Sequence, residues 1–196
     1  LVVESDGELV PSQLSHLKIK RGRLLACRVH LQASVPSLKR KVWRIWYSRK
    51  KQPTPAMASE IKVDAGKDQI VIANSKVSLK LLAGKWQGEM PGRDCPGPVV
   101  GIQSIKAEGP FQCRSGFRTD QAVLEWKARV VEQGPLFVDY LAEFRFQTAP
   151  KERQHPMVAR KPEQGAFYTF RLRLYAGKEH ALIQEDYGGL ARNDSL

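Results

Sequence analysis

Three long stretches in which apolar and polar residues alternate one for one dominate the second half of the chain and limit it to extended structure. Leu124, Trp126, Ala128 and Val130 alternate with Glu125, Lys127, Arg129 and Val131. After a Gln133-Gly134-Pro135 turn the pattern repeats at Leu136, Val138, Tyr140, Ala142, Phe144 and Phe146. It recurs at Tyr168, Phe170, Leu172 and Leu174 around Thr169, Arg171 and Arg173, then resumes from His180 to Tyr187 beyond a turn at Ala176-Gly177-Lys178-Glu179. Successive side chains of a strand point to opposite faces, so a period of two sends one row inward and one into water. Gly-bearing turns between such strands predict antiparallel neighbours with one wet face. With no 3.6-residue apolar stripe of helical length in competition, the expected fold is all-β: an antiparallel β-sandwich preceded by a small β-barrel-like module.

The first half carries shorter signals. Residues 1–7 read as a strand running into a turn, so the chain is expected to begin mid-architecture, as an excised domain or processed fragment. Strands are predicted at Leu17–Lys20, Leu24–Leu31 and Val42–Tyr47. The Gln52-Pro53-Thr54-Pro55 segment has a linker composition, which divides the chain into a small basic β module, residues 1–55, and a sandwich, residues 56–196. Beyond it, Glu60–Asp64, Gln69–Ala73 and Val77–Leu82 are strands, with turns at Gly66-Lys67 and Asn74-Ser75. Gly84–Pro98, with four Gly and three Pro, is expected to form a long loop, as is Thr148–Gln164.

Charge is distributed more unevenly than strand signals are. The net charge is +12, yet no Asp or Glu occurs from Leu9 to Ser59. That window holds Lys18, Lys20, Arg21, Arg23, Arg28, Lys39, Arg40, Lys41, Arg44, Arg49, Lys50 and Lys51, and the remaining basic residues balance the acidic ones. Such asymmetry predicts a surface that attracts polyanions and loses them as salt rises. Within it, Lys39, Arg40, Lys41, Trp43, Arg44, Trp46, Arg49, Lys50 and Lys51 are the candidate ligand-binding residues. Cations grip phosphates or carboxylates, and tryptophan faces stack on bases or sugar rings. The competing reading places Trp43, Ile45 and Tyr47 in the core and makes the bases solvated strand ends that discourage edge pairing. A second cluster lies on the wet face of the long strands: Glu125, Lys127, Arg129, Asp139, Glu143, Arg145, Arg171 and Arg173. Its arginines could hold an acidic sugar, while its mixed signs fit cross-strand ion pairs.

Catalytic signals are missing. His16, His30, His155 and His180 are scattered, with no nucleophile or carboxylate at a telling spacing. Cys27, Cys95 and Cys113 have no metal-ligand spacing; Cys27 is expected as a small core residue, and the other two as a disulfide or as separate thiols. No cofactor, metal or catalytic residue is expected. No apolar run is long enough for a membrane helix, and no zinc spacing, RNA-sheet motif or helix-turn-helix pattern argues for nucleic acid as a partner.

Taken in order, DGELVPSQ (Asp6–Gln13), the basic two-strand stretch, the Pro-bearing linker, the short strands of Ile61–Leu82, QGPLFVDYLAEFRF (Gln133–Phe146) and FYTFRLRLYAGKEHALIQEDY (Phe167–Tyr187) resemble the non-catalytic front half of the exo-rhamnogalacturonan lyase-like family. There, a small barrel-like domain and a central β-sandwich precede a helical toroid. Where that family shows a Trp-Pro-Asp-Gly-Ser turn, this chain has Ile19-Lys20-Arg21-Gly22-Arg23-Leu24, keeping the glycine and replacing the acid with bases. The resemblance implies an accessory, non-catalytic region of a secreted or periplasmic carbohydrate-active protein. It would pack on a helical catalytic domain in the same chain and help to bind acidic polysaccharide. The alternative is a polyanion-binding or structural interaction module acting through its basic N-terminal third.

Overall fold

The computed structural model describes residues 2–35, 37, 39–46, 59–106, 109–148 and 165–190, with Val2 as backbone alone. It is all-β, and its one helical element among the described residues is a 3-10 turn at Gly92–Asp94. The expected linker at 52–55 and nearly all of the loop at 148–164 lie outside the described residues.

Two antiparallel sheets form the sandwich. The smaller contains β6 (Lys62–Ala65), β7 (Gln69–Ala73), β8 (Val77–Leu82) and β10 (Val99–Ser104), in the order β10-β8-β7-β6. The larger runs β14-β13-β12-β11-β9, with β9 at Gly84–Pro91, β11 at Ala122–Gln133, β12 at Phe137–Phe146, β13 at Ala166–Tyr175 and β14 at Ala181–Gly188. The alternation read from the sequence sets their inner faces. Val138, Tyr140, Ala142, Phe144 and Phe146 lie opposite Leu174, Leu172, Phe170, Tyr168 and Ala166 on β13, and all are buried against Ile70, Ile72, Leu79 and Leu81 of the smaller sheet. Phe117 closes one end, with its ring edge-on to Phe144, Phe146 and Tyr168. Tyr140 buries its ring and donates its hydroxyl hydrogen to the Leu82 carbonyl across the sandwich, 2.9 Å away.

Two expectations are corrected here. Gly84–Pro98 is not a single long loop, because its first half is β9, paired with β11 from Gly84↔Ala128 to Pro91↔Ala122. As an edge strand, β9 tolerates glycine and proline that a central strand would exclude. Leu124 does not share the inward face of Trp126. A bulge at Val123–Leu124 adds one residue to β11, so Val123 is buried while Leu124 is 38% exposed.

The N-terminal residues build two smaller pieces. β1 (Val2–Ser5) pairs with β2 (Glu8–Leu9) across the Asp6-Gly7 turn and with β5 (Arg44–Trp46) on its other side. β3 (Ser12–Lys20) and β4 (Arg23–Leu31) form a two-stranded hairpin. Its base docks on the outer face of the larger sheet through Gln13. The Gln13 Oε1 atom accepts from the backbone N–H groups of Leu136 and Phe137 at 3.2 and 3.0 Å, and Nε2 donates to Glu132 at 3.2 Å. Gly134 makes this possible, since a Cβ there would overlap the Gln13 side chain. His30 completes the contact edge-on to Phe137, with ring centroids 4.9 Å apart, and accepts or donates a 2.7 Å hydrogen bond with Ser15. The hairpin tip projects from this base. Leu17, Ile19, Leu24 and Leu25 are all exposed there, between Lys18, Lys20, Arg21 and Arg23.

Candidate anion-binding site

The outer face of the larger sheet presents one row of charge from each central strand. Cross-strand register sets Glu125 beside Arg145, Lys127 beside Glu143, and Asp139 beside Arg173. The ion pairs are Lys127–Glu125 at 2.6 Å, Arg129–Glu143 at 3.2 Å, Arg145–Glu125 at 3.9 Å and Arg173–Asp139 at 2.6 Å. The mixed signs read from the sequence therefore do form ion pairs. The Lys127 hydrogen bond, foremost, holds the Glu125 carboxyl below its ordinary range. Because most of these groups are well exposed, water screens each pair and little stability comes from it.

The Arg173–Asp139 pair differs from the others. Arg173 sends Nε to one carboxylate oxygen at 2.6 Å and Nη2 to the other at 2.7 Å, the bidentate fork that fixes a guanidinium in one plane. That plane lies over the Phe137 ring, 3.9 Å from its centroid. Arg173 is thereby held in one orientation.

Where the hairpin leans over this face lies an open cleft of about 530 Å³, with His16, Arg28, Arg171 and Leu182 exposed to solvent. The roof consists of His16 and Arg28, while Asp139, Leu141, Arg171 and Arg173 form the floor and Leu182 and Gln184 one side. The local chain explains both roof residues. Arg28 lies opposite Ser15 in the hairpin, and the register slips by one residue just beyond that pair. His16 stands in the slip with φ of 51°, and a bulge of this kind re-aims side chains. Leu141 is only 6% exposed, although it lies on the outer face, between Arg129 and Arg171 on neighbouring strands. With Asp139 occupied by Arg173, Arg28 and Arg171 leave the pocket with an excess of positive charge. Neither has an ion-pair partner among the described residues.

The residues singled out in the basic aromatic run lie elsewhere. Lys39, Arg40 and Arg44 are exposed, Trp43 is half-buried, and Lys41 faces Asp6 at 3.8 Å. Ile45 and Trp46 are 51% and 56% exposed on β5, so the reading that put Ile45 in the core is corrected: β5 is short and nothing described covers that face. Arg49, Lys50 and Lys51, with Tyr47, lie outside the described residues. The structure does not bring this run to the pocket. Sequence reasoning had Arg171 and Arg173 on one wet face but missed that His16 and Arg28 would join them, because the contacts seating the hairpin link residues more than a hundred positions apart.

Cys27, Cys95 and Cys113 are free thiols: Cys27 is half-buried in the hairpin rather than in the core, Cys113 is exposed, and burial pushes the Cys95 thiol up to about 12. Among the described residues no group of three His, Cys, Asp or Glu is placed to hold a metal ion. None of their helices is long and apolar enough to cross a membrane. No protein-family model matches the chain, and neither a curated protein nor a solved structure matches it.

Proposed function

We propose that this chain is a non-catalytic β module that binds an acidic polysaccharide, as an accessory region of a larger carbohydrate-active protein. One observation carries the reading. Lys18, Lys20, Arg21, Arg23, Arg28, Lys39, Arg40 and Arg44 are all exposed and unpaired among the described residues, in a segment without a single acid between Leu9 and Ser59. Basic groups left in water, without partners in their own chain, raise the local concentration of polyanions through long-range attraction. The exposed Trp46 and half-buried Trp43 beside them offer ring faces on which a sugar can stack.

The test is retention of the chain on immobilised polygalacturonate, heparin and DNA, with elution by salt. Binding to the acidic polysaccharide should exceed binding to DNA at equal ionic strength and fall steeply between about 0.05 and 0.3 M salt. Gln at Lys18, Lys20, Arg21, Arg23, Lys39, Arg40 and Arg44, the exposed bases outside the pocket, should release most of it. Equal retention on all three polymers favours the general polyanion-binding alternative, and unchanged retention of the variant rejects both. No turnover of the polysaccharide is expected; lyase activity from this chain alone would overturn the non-catalytic reading.

A further inference from the structure

We infer that the pocket beneath the β3–β4 hairpin is a subsite for a single sugar unit bearing an oxyanion, held between Arg28 and Arg171. This rests on the polysaccharide reading and narrows it from a charged surface to one open cleft.

Three features of the pocket define the ligand. Its volume of about 530 Å³ falls within the range of small-molecule sites, roughly 300–1,000 Å³, and far exceeds what a bare inorganic ion fills. Two guanidiniums without an ion-pair partner among the described residues line the pocket. Asp139, the pocket's only carboxylate among the described residues, has its charge countered by the bidentate Arg173 fork, which weakens its repulsion of an entering anion. Arg28 and Arg171 come from different elements, one above and one below. Planar guanidiniums suit the two oxygens of a carboxylate or sulfate better than lysines would. The remaining walls are mixed, with Leu141 and Leu182 able to pack on the apolar face of a sugar ring and Gln184 able to pair with a hydroxyl. A site of this kind reads both the charge and the ring.

Titration of the whole chain, followed by NMR, with glucuronate, glucose 6-sulfate, glucose and inorganic sulfate tests the assignment. One or both of the charged sugars should shift the spectrum saturably, with glucose silent, and whichever binds identifies the oxyanion as carboxylate or sulfate ester. Arg171→Gln and Arg28→Gln should each weaken that binding about tenfold, the loss of a charge-assisted contact. Arg145→Gln, on the same sheet face but outside the pocket, should leave it unchanged. The inference is overturned if glucose binds as well as the charged sugars, if inorganic sulfate binds as tightly as either, if no probe saturates, or if Arg171→Gln binds like the parent. Failure of the polymer reading looks different: the chain would hold a charged monosaccharide and yet pass through every acidic polymer column. Conversely, the double variant of Arg28 and Arg171 should lose the monosaccharide and keep most polymer retention, since the exposed bases of the N-terminal third remain.

Discussion

At the scale of single residues, Asn74 holds more of the structure than its place in an Asn-Ser turn foretells. Its Oδ1 accepts from the backbone N–H groups of Lys76 and Val77 at 2.8 and 2.9 Å, closing the β7–β8 turn as an asparagine at that position commonly does. Its Nδ2 donates to the carbonyls of Tyr175 and Lys178 at 2.7 and 2.8 Å, fastening the smaller sheet to the β13–β14 turn of the larger. The residue is 6% exposed, so water cannot replace what a truncation removes. Asn74→Ala is therefore expected to destabilise the chain by about 3 kcal/mol, read as a lower urea midpoint at unchanged slope. Asn74→Asp should do no better, since a carboxylate cannot donate to the two carbonyls. A loss below about 0.5 kcal/mol would show that these bonds do not form.

At the scale of elements, the hairpin of β3 and β4 is the piece whose position decides the site. Its own strands are legible in the sequence, but its docking depends on one glutamine spanning the N–H groups of Leu136 and Phe137 and the carboxylate of Glu132 at the end of β11. Gln13→Ala leaves the Leu136 and Phe137 N–H groups without that acceptor and should cost about 2 kcal/mol. The loss should be local. Amide exchange is expected to quicken in residues 12–31 and around Gly134 while the sandwich strands stay protected, because cooperative units open separately when few contacts join them. Uniform acceleration across β7, β8 and β12 would mean instead that hairpin and sandwich unfold as one.

At the scale of the whole molecule, the core holds two buried phenols, Tyr140 bonded across to the smaller sheet and Tyr168 bonded to Glu185 within the larger one. Burial raises the pKa of Tyr140 above its ordinary value of 10, and burial together with the Glu185 hydrogen bond raises that of Tyr168. In the unfolded chain both ionise near that ordinary value, whereas the folded chain keeps them protonated. Their contribution is thus complete below pH 10 and is lost as pH rises through the folded values, by up to about 1.4 kcal/mol per pH unit for each group. Unfolding free energies between pH 9 and 11.5 should fall along this slope, and Tyr140→Phe should remove one tyrosine's share of it. An unchanged slope in that variant would contradict the burial of the hydroxyl.

What the sequence determined by itself was whatever depends on near neighbours. The two-residue period of β12 and β13 settled their inward rows, because a strand's side chains alternate whatever it packs against. The short strands of 62–82 and their turns were legible for the same reason, and so was the opposition of charges along the wet face. Tertiary structure decided the rest, for reasons no local pattern carries. The β11 bulge turns Leu124 outward, an effect of one extra residue measured against a partner strand. The Gly- and Pro-rich stretch from 84 became an edge strand because β11 had an unpaired side to offer. His16 and Arg28, unremarkable in the sequence, met Arg171 over one pocket only because Gln13 found the turn at Gly134, a match of shape and hydrogen bonds between distant segments that emerges only when the chain is folded.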